Sequence, residues 1–226
     1  MQIAIDTSTD TASLALVQDD EVLAELTWRC GRNHSTQLLP HLSHLLNQTG
    51  LSLQSASCII VAKGPGSYNG LRVGISTAKG LAYSLDIPII GVSTLEVEAY
   101  QHAERGLPVC PIFNAGRGEI ATATYRKKGN KWQQPAAEHI TTVDALCSEI
   151  TDKTVFCGEF VPKIAAELSQ RLKQKAVMPS PAAGLRRASF LAELGLERFR
   201  AGDYDDPSTL QPLYLRGPSI TKAKHR

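Results

Sequence analysis

The sequence predicts an α/β protein made of two similar halves, each with a mixed β-sheet flanked by helices. Three observations support this fold class. Short apolar segments of strand length alternate along the chain with segments of helical periodicity. Their order in the first half recurs in the second half, which indicates an internal duplication. The chain has 226 residues, 42% of them hydrophobic, so each half is long enough to bury a core.

The first half is predicted to open with three strands and a helix. The strands are expected over 2–6, 12–18 and 21–29. Asp19-Asp20 is typical of a two-residue hairpin turn between the second and third strands. Leucines at helical spacing from Leu38 to Leu46 predict a helix that ends near Gly50.

The remainder of the first half alternates strands and helices. A buried strand over 57–62 leads through a glycine loop into a helix that reaches Leu85, and a short strand follows over 87–92. Ser93 and Glu96 form a capping-box pattern that predicts the start of another helix. Parallel strands joined by helices indicate a sheet covered by helices.

The second half repeats this order. Strands are expected over 109–113, 119–126, from 131 onward and over 154–157, with helices over about 143–150 and 162–173. The first of these strands is predicted to break at Asn114-Ala115-Gly116-Arg117-Gly118, and turns are expected at Gly129-Asn130 and Gly158-Glu159.

Two lobes follow from this duplication, with boundaries at 1–104 and 105–226. A long amphipathic helix over 182–201 is expected in the second lobe, closing the halves together. The end of the chain, from Arg216 to Arg226, is basic. A solvated, frayed tail is the favoured interpretation, and contact with a polyanion such as tRNA is the alternative.

Charge and cysteine content narrow the class of protein. The formal net charge is only +2, so the total does not require a nucleic acid or a membrane surface as partner. The five cysteines contain no C-x-x-C pair, which favours a reduced, cytoplasmic protein over a zinc or disulfide scaffold. The chain starts with a strand-like segment and not a signal peptide, and no apolar run approaches the ~18 residues that span a bilayer.

Two loops have the composition of phosphate-binding loops. One follows the first strand, and the other precedes the helix that reaches Leu85, where backbone N–H groups can face an anion. The candidate residues are Asp6, Thr7 and Ser8 in the first loop and Gly64, Gly66 and Ser67 in the second. Local turns explain the same residues. The equivalent turn of the second half begins with the uncharged Asn114, which argues against catalysis because an amide is no general base.

The helix after the glycine loop carries a strip of small side chains at Gly70, Gly74, Ala78 and Ala82. Such a strip allows another helix to approach closely, and that partner is either internal or in another protein. His34, His41 and His44 lie along the leucine-rich helix. Their spacing favours a polar helix face over a metal site, so we expect no metal site there. No Ser/His/Asp set stands out.

Several motifs together resemble the bacterial TsaB family, also called YeaZ. They are Ile5-Asp6-Thr7-Ser8-Thr9, His34-Ser35 with Leu38-Leu39-Pro40, Gly64-Pro65-Gly66-Ser67 with Gly70-Leu71-Arg72-Val73-Gly74, Thr77-Ala78-Lys79-Gly80-Leu81-Ala82, Gly91-Val92-Ser93-Thr94-Leu95-Glu96 and Pro212-Leu213-Tyr214-Leu215-Arg216. The match spans nearly the whole chain and is densest over 1–96. Tyr68-Asn69, Thr36 and Asn114 depart from the usual pattern.

The resemblance implies a duplicated fold of the actin-like, sugar-kinase and Hsp70 (ASKHA) type. It also implies a role in forming threonylcarbamoyladenosine at position 37 of tRNAs that read codons beginning with A. It further implies a non-catalytic paralogue of TsaD, the transferase subunit. The protein would pair with TsaD, be joined by TsaE, contact tRNA through that complex, and form a homodimer when alone.

The resemblance also places the partner interface on the helices of the first lobe. The residues expected there are His34, Leu38, His41, Leu45, Gly70, Arg72, Val73, Gly74, Thr77, Ala78 and Leu81. No cofactor is required in this role. The alternative function is an ATP-binding phosphotransferase or ATPase that uses the two candidate phosphate loops. Peptidase activity is a third hypothesis, for which the sequence offers no nucleophile and base.

Overall fold

The computed structural model describes residues 1–129 and 131–216. Its first sheet has five strands: β1 (Gln2–Asp6), β2 (Thr11–Gln18), β3 (Glu21–Arg29), β4 (Cys58–Ala62) and β5 (Ile89–Val92). They lie in the order β3-β2-β1-β4-β5. β1, β2 and β3 pair antiparallel, whereas β1, β4 and β5 pair parallel. The sheet is therefore mixed, as predicted.

The second sheet repeats this topology. Its strands are β6 (Val109–Gly116), β7 (Glu119–Lys128), β8 (Lys131–Thr141), β9 (Thr154–Cys157) and β10 (Ala176–Val177). Their order, β10-β9-β6-β7-β8, matches that of the first sheet strand for strand when read from the other edge. The two-lobed duplicated fold that the sequence predicted is confirmed.

Within the described part of the chain, six α-helices cover the sheets: α1 (His34–Thr49), α2 (Tyr68–Leu85), α3 (Thr94–Tyr100), α4 (Val143–Glu149), α5 (Val161–Leu172) and α6 (Ala188–Arg200). α1 and α2 pack on one face of the first sheet, where Ile3 and Ile5 of β1 point. α6 packs on the other face, where Ala4 points. Because successive strand residues face opposite sides, β1 is buried on both faces.

α3 lies between the lobes. Leu95 and Ala99 of this helix are buried against Val109, Tyr125 and other residues of the second sheet, and the helix also contacts α6. Ser93 caps its N-terminus by accepting a hydrogen bond from the backbone N–H of Glu96, at 3.3 Å, as the capping-box pattern predicted. Side chains on α3 are therefore well placed to connect the halves.

The prediction of one long helix over 182–201 is wrong at its start. A 3-10 turn (Pro181–Ala183) comes first, an irregular segment over 184–187 follows, and α6 begins at Ala188. Pro181 and Gly184 interrupt the helical pattern. The helix also packs on the first sheet, so it completes the first lobe and is no part of the second.

The predicted break of the sixth strand at Asn114 is also wrong. β6 continues to Gly116, which pairs with Glu119 of β7. The turn itself consists of Arg117 and Gly118, both with positive φ, as in a two-residue hairpin. Asn130 of the predicted Gly129-Asn130 turn, and the basic tail beyond Arg216, lie outside the described residues. Among the described residues no helix is both long and apolar enough to cross a membrane.

Candidate functional site

The turn after β1 is buried and held by its own hydrogen bonds. Asp6 is 1% exposed, and its Oδ1 accepts hydrogen bonds from the backbone N–H of Ser8, at 2.8 Å, and from the Ser8 hydroxyl, at 2.6 Å. This is the Asx-turn geometry that a short acidic side chain favours. The first candidate phosphate loop is thus a rigid internal turn.

The two candidate phosphate loops bond to each other. The backbone N–H of Ser67 donates to the carbonyl oxygen of Ser8, at 2.6 Å, and a Cβ at Gly66 would overlap that same carbonyl. The backbone N–H of Gly64 donates to the hydroxyl of Thr94 on α3, at 3.0 Å. Three backbone donors of the two loops, those of Ser8, Gly64 and Ser67, are therefore engaged within the protein.

The small-residue strip of α2 faces this turn. Thr7 donates its hydroxyl proton to the carbonyl oxygen of Gly70, at 2.8 Å. A Cβ at Gly70 would overlap the Thr7 carbonyl oxygen, and a Cβ at Gly74 would overlap the Thr7 hydroxyl. The close partner that the strip admits is β1 and its turn, inside the same chain.

This packing corrects more than half of the predicted partner interface. Six predicted interface residues are buried inside the lobe: His34, Leu38, Leu45, Gly70, Gly74 and Ala78. His34, for example, bonds through Nε2 to the Thr9 carbonyl, at 2.7 Å. The other five are exposed or half-buried: His41, Arg72, Val73, Thr77 and Leu81. The helical pattern predicted which residues form the strip, but it did not predict that the strip packs on the chain's own sheet.

Arg186 fills the space between the turn and the second lobe. Its side chain is buried, and its Nε donates to Asp6 Oδ2 at 2.6 Å. Its Nη2 donates to the hydroxyls of Ser8 and Thr9, each at 3.0 Å. The guanidinium also lies over the ring of Phe113, at 5.4 Å. A planar guanidinium with five donors suits such a multidentate site.

The same guanidinium connects three separate elements. Its Nη1 lies 3.4 Å from Glu98 Oε2 on α3 and 3.4 Å from Glu159 Oε1 in the turn after β9. Asp6, at the end of β1, is the third carboxylate. Arg186 thereby joins the first sheet, the central helix and the second lobe by ion pairs in a buried environment.

Burial and the neighbouring charges have opposite effects on the pKa of Glu98, and likewise on the pKa of Arg186. Burial raises the pKa of Glu98 to about 7, and the opposing attraction of Arg186 does not offset it. Burial also lowers the pKa of Arg186, but the nearby carboxylates of Asp6, Glu159 and Glu98 outweigh it and raise that pKa overall. Asp6 is committed to this cation, and its carboxylate is not presented to a substrate.

The principal cavity between the lobes is elsewhere. It has a volume of about 930 Å³, and its wall includes Lys63, Ser93, Glu96, Trp132 and Glu138. None of the six candidate phosphate-loop residues lines it. The predicted loops and the cavity that could hold a nucleotide-sized molecule are therefore separate.

The outward faces of α1 and α2 carry exposed apolar side chains. The two helices pack against each other on the first sheet. Leu39 on α1 is 51% exposed, and Tyr83 on α2 is 86% exposed. At the start of α2, Tyr68 stacks on Tyr214, with ring centroids 5.4 Å apart, and Arg72 lies over the Tyr68 ring. Exposed aromatic and aliphatic groups of this kind are typical of protein interfaces.

Sequence reasoning missed Leu39, Tyr68 and Tyr83 as surface residues. Leu39 stands between the core residues Leu38 and Leu42, so its helical angle was the only available signal. Arg186 was missed entirely, because it lies 180 residues from Asp6 in the sequence and belongs to a segment predicted as helix.

The fold is a two-lobed, duplicated α/β fold of the actin-like type, and in this chain Arg186 fills the first interlobe turn. YeaZ from Pseudomonas aeruginosa has the same fold, with a TM-score of 0.79 at 23% sequence identity, covering 94% of this chain and 99% of that one. A family model described as TsaD, tRNA N6-adenosine threonylcarbamoyltransferase, matches residues 28–213.

Two sequence relatives identify the family more closely. The chain is 36% identical over 217 residues to the tRNA threonylcarbamoyladenosine biosynthesis protein TsaB of Bacillus subtilis (strain 168), covering 95% of this chain and 93% of the relative. It is 38% identical over 227 residues to the protein of the same name in Escherichia coli (strain K12), covering 95% and 94%. The chain belongs to the TsaB family, as its motifs predicted.

Proposed function

We propose that this chain is a non-catalytic accessory subunit that binds and activates TsaD. The complex would form threonylcarbamoyladenosine at position 37 of tRNAs that read codons beginning with A. Family membership and the names of its relatives support this pathway. The observation that carries the accessory role is the closure of the interlobe turn by Arg186. Asp6, the acidic group best placed for chemistry, is buried in an ion pair and serves structure.

The absence of a nucleotide requirement is part of this proposal. An ATP-using site would need open backbone donors and a free carboxylate for a metal ion. Here Ser67 and Gly64 donate their N–H groups to other parts of the chain, and a guanidinium occupies the turn. We therefore favour a role without cofactor over the alternative of an ASKHA-type ATPase.

The outward face of α1 and α2 is the surface proposed to bind TsaD. Its residues include the exposed Leu39 and Tyr83 and the half-buried Val73, Thr77 and Leu81. Two copies of this chain would pair through the same face in the absence of TsaD, since one surface cannot pack against both partners at once. TsaE and tRNA would join through the TsaD complex, in the cytoplasm.

A binding experiment tests this surface. The chain and TsaD of the same organism are mixed, and their dissociation constant is measured by calorimetry. We expect Leu39→Asp to weaken binding by about tenfold or more, because a charge replaces an exposed apolar side chain on the proposed face. Leu185, which is 48% exposed and lies away from α1 and α2, supplies the matched control Leu185→Asp. Equal affinities for the two variants would contradict the proposed surface.

A further inference from the structure

Three side chains with different donor atoms meet where the lobes join. Glu98 lies on α3, His102 follows one helical turn later, and Cys157 ends β9. One ligand atom from each lies within 4.8 Å of the other two, and all three residues are buried. The thiol of Cys157 also faces the Glu98 carbonyl oxygen, at 3.6 Å. The first two come from the central helix and its extension, whereas the third comes from the second sheet.

We propose that Glu98, His102 and Cys157 bind one divalent transition-metal ion of the zinc class. Carboxylate oxygen, imidazole nitrogen and thiolate sulfur are the three ligand types that Zn²⁺ takes, and three protein ligands leave a fourth tetrahedral position for water. The mixed set excludes Mg²⁺ and Ca²⁺, which prefer oxygen ligands alone. Because the ligands come from both sides of the lobe junction, the ion would cross-link the lobes.

The charge balance around these residues favours a cation. Three carboxylates, those of Asp6, Glu98 and Glu159, surround the single guanidinium of Arg186. The carboxyl groups outnumber the guanidinium, and two of them, those of Asp6 and Glu98, are buried, where a carboxylate requires a cation. A dication bound by Glu98 would offset this excess, and its binding would release the thiol proton of Cys157.

The two oxygens of Glu98 face different groups. Oε2 lies on the side of Arg186, whereas Oε1 accepts a hydrogen bond from the side-chain amide of Gln101, at 3.0 Å. The same amide lies 3.4 Å from His102 Nε2. Gln101 is thus a neutral group that bridges two of the proposed ligands, and a metal ion would replace it at Glu98 Oε1, the oxygen that Arg186 does not contact.

A route from solvent leads to this position. A cavity of about 420 Å³ is lined by His102 and Gln101, with Ala183, Leu185 and Phe190 on its other walls. This volume accommodates an entering ion and several water molecules. The ion would therefore reach His102 first and take its fourth ligand from the cavity.

Cobalt provides the test, because Co²⁺ occupies zinc sites and a thiolate ligand gives it a charge-transfer absorption band in the near ultraviolet. The full-length, tag-free chain is reduced, stripped with a chelator and titrated with Co²⁺ alone. We expect one Co²⁺ per chain, a thiolate band that saturates at that ratio, and loss of the band when Zn²⁺ is added.

Matched variants assign the ligands. Cys157→Ser should abolish the thiolate band, whereas Cys147→Ser, at the partly exposed cysteine of α4, should leave it unchanged. His102→Gln should weaken Co²⁺ binding by about tenfold or more, since even groups behind a metal ligand contribute that much. If Cys157→Ser does not fold, His102→Gln decides, because this residue borders the cavity. Absence of the band in the unmodified chain, or equal affinity in His102→Gln, overturns the proposal. Neither result bears on TsaD binding.

Discussion

The equivalent turns of the two lobes share one local hydrogen bond but lie in different environments. In the first lobe, Asp6 Oδ1 accepts from the backbone N–H of Ser8 at 2.8 Å. In the second, Asn114 Oδ1 accepts from that of Gly116 at 2.9 Å. Asp6 is buried under α2 and Arg186, whereas Asn114 is exposed. The two turns share their local geometry, but Asp6 is buried in an ion pair with Arg186, whereas Asn114 is exposed.

This difference shows that the environment decides what an acidic turn residue does. A carboxylate in an exposed turn stays hydrated, and a neutral amide can replace it at little cost. A carboxylate buried in the first turn requires a cation, and the cation must come from a distant part of the chain. Arg186 meets that requirement, and it also donates to the hydroxyls of Ser8 and Thr9 in the same turn.

The largest effect on the difference between the two turns is expected from replacing Arg186. Arg186→Met should lower the free energy of unfolding by about 3–5 kcal/mol, because three carboxylates at the junction lose their shared cation. Urea unfolding followed by circular dichroism measures the change. The neighbouring Arg187, whose side chain is 52% exposed and pairs with Glu25, provides the control, and Arg187→Met should cost about 1 kcal/mol or less. A similar loss of unfolding free energy in both variants would show that the buried network stabilises the fold no more than the exposed Arg187–Glu25 pair does.

The second test addresses the packing of α2 on the first turn. Gly70→Ala places a methyl group against the Thr7 carbonyl oxygen and should cost about 1–3 kcal/mol, since backbone cannot move aside easily. Gly80 is on the same helix, and a Cβ there meets no atom within 4 Å. Gly80→Ala should therefore raise the stability by about 0.5–1 kcal/mol. Opposite signs of the two changes, from the same thermal or urea titration, support inward packing; a loss in both would refute it.

The third test has the smallest expected effect and concerns the turn of the second lobe. Asn114→Asp restores the charge that the first turn carries, and it should change the free energy of unfolding by no more than about 0.5 kcal/mol. The side chain is exposed and keeps its acceptor for Gly116. Urea midpoints of the variant and the unmodified chain are compared in one buffer. A destabilisation of several kcal/mol would mean that burial does not explain the difference between the turns.

The fold followed from local patterns to a large extent. Strand alternation, the Asp19-Asp20 hairpin and the leucine spacing of α1 are short-range signals, and the repeated order of elements predicted both sheets. The start of α6 did not follow, because residues 184–187 belong to neither a helix nor a strand. This conformation brings Arg186 to Asp6, and that tertiary contact outweighs helix propensity.

The candidate site was less predictable than the fold. The spacing of Gly70, Gly74 and Ala78 identified a close-packing strip correctly, but no local signal shows whether such a strip meets the chain's own sheet or another protein. Arg186, Glu159 and Cys157 reach the junction from distant parts of the sequence. Contacts of this range depend on how the lobes dock, and a single sequence does not contain that geometry.

Reconstituted tRNA modification tests the central claim, that the chain acts through the outer face of its first lobe and not through chemistry in its cleft. Threonylcarbamoyladenosine is quantified with TsaD, TsaE, tRNA and threonylcarbamoyl-adenylate as the group donor. The reaction is run in the absence of this chain and with three forms of it: unmodified, Thr9→Ala at the interlobe turn, and Leu39→Asp on the outer face. We predict stimulation by the unmodified and Thr9→Ala chains, and its loss in Leu39→Asp. Loss in Thr9→Ala with full stimulation by Leu39→Asp, both variants being folded, would contradict the account.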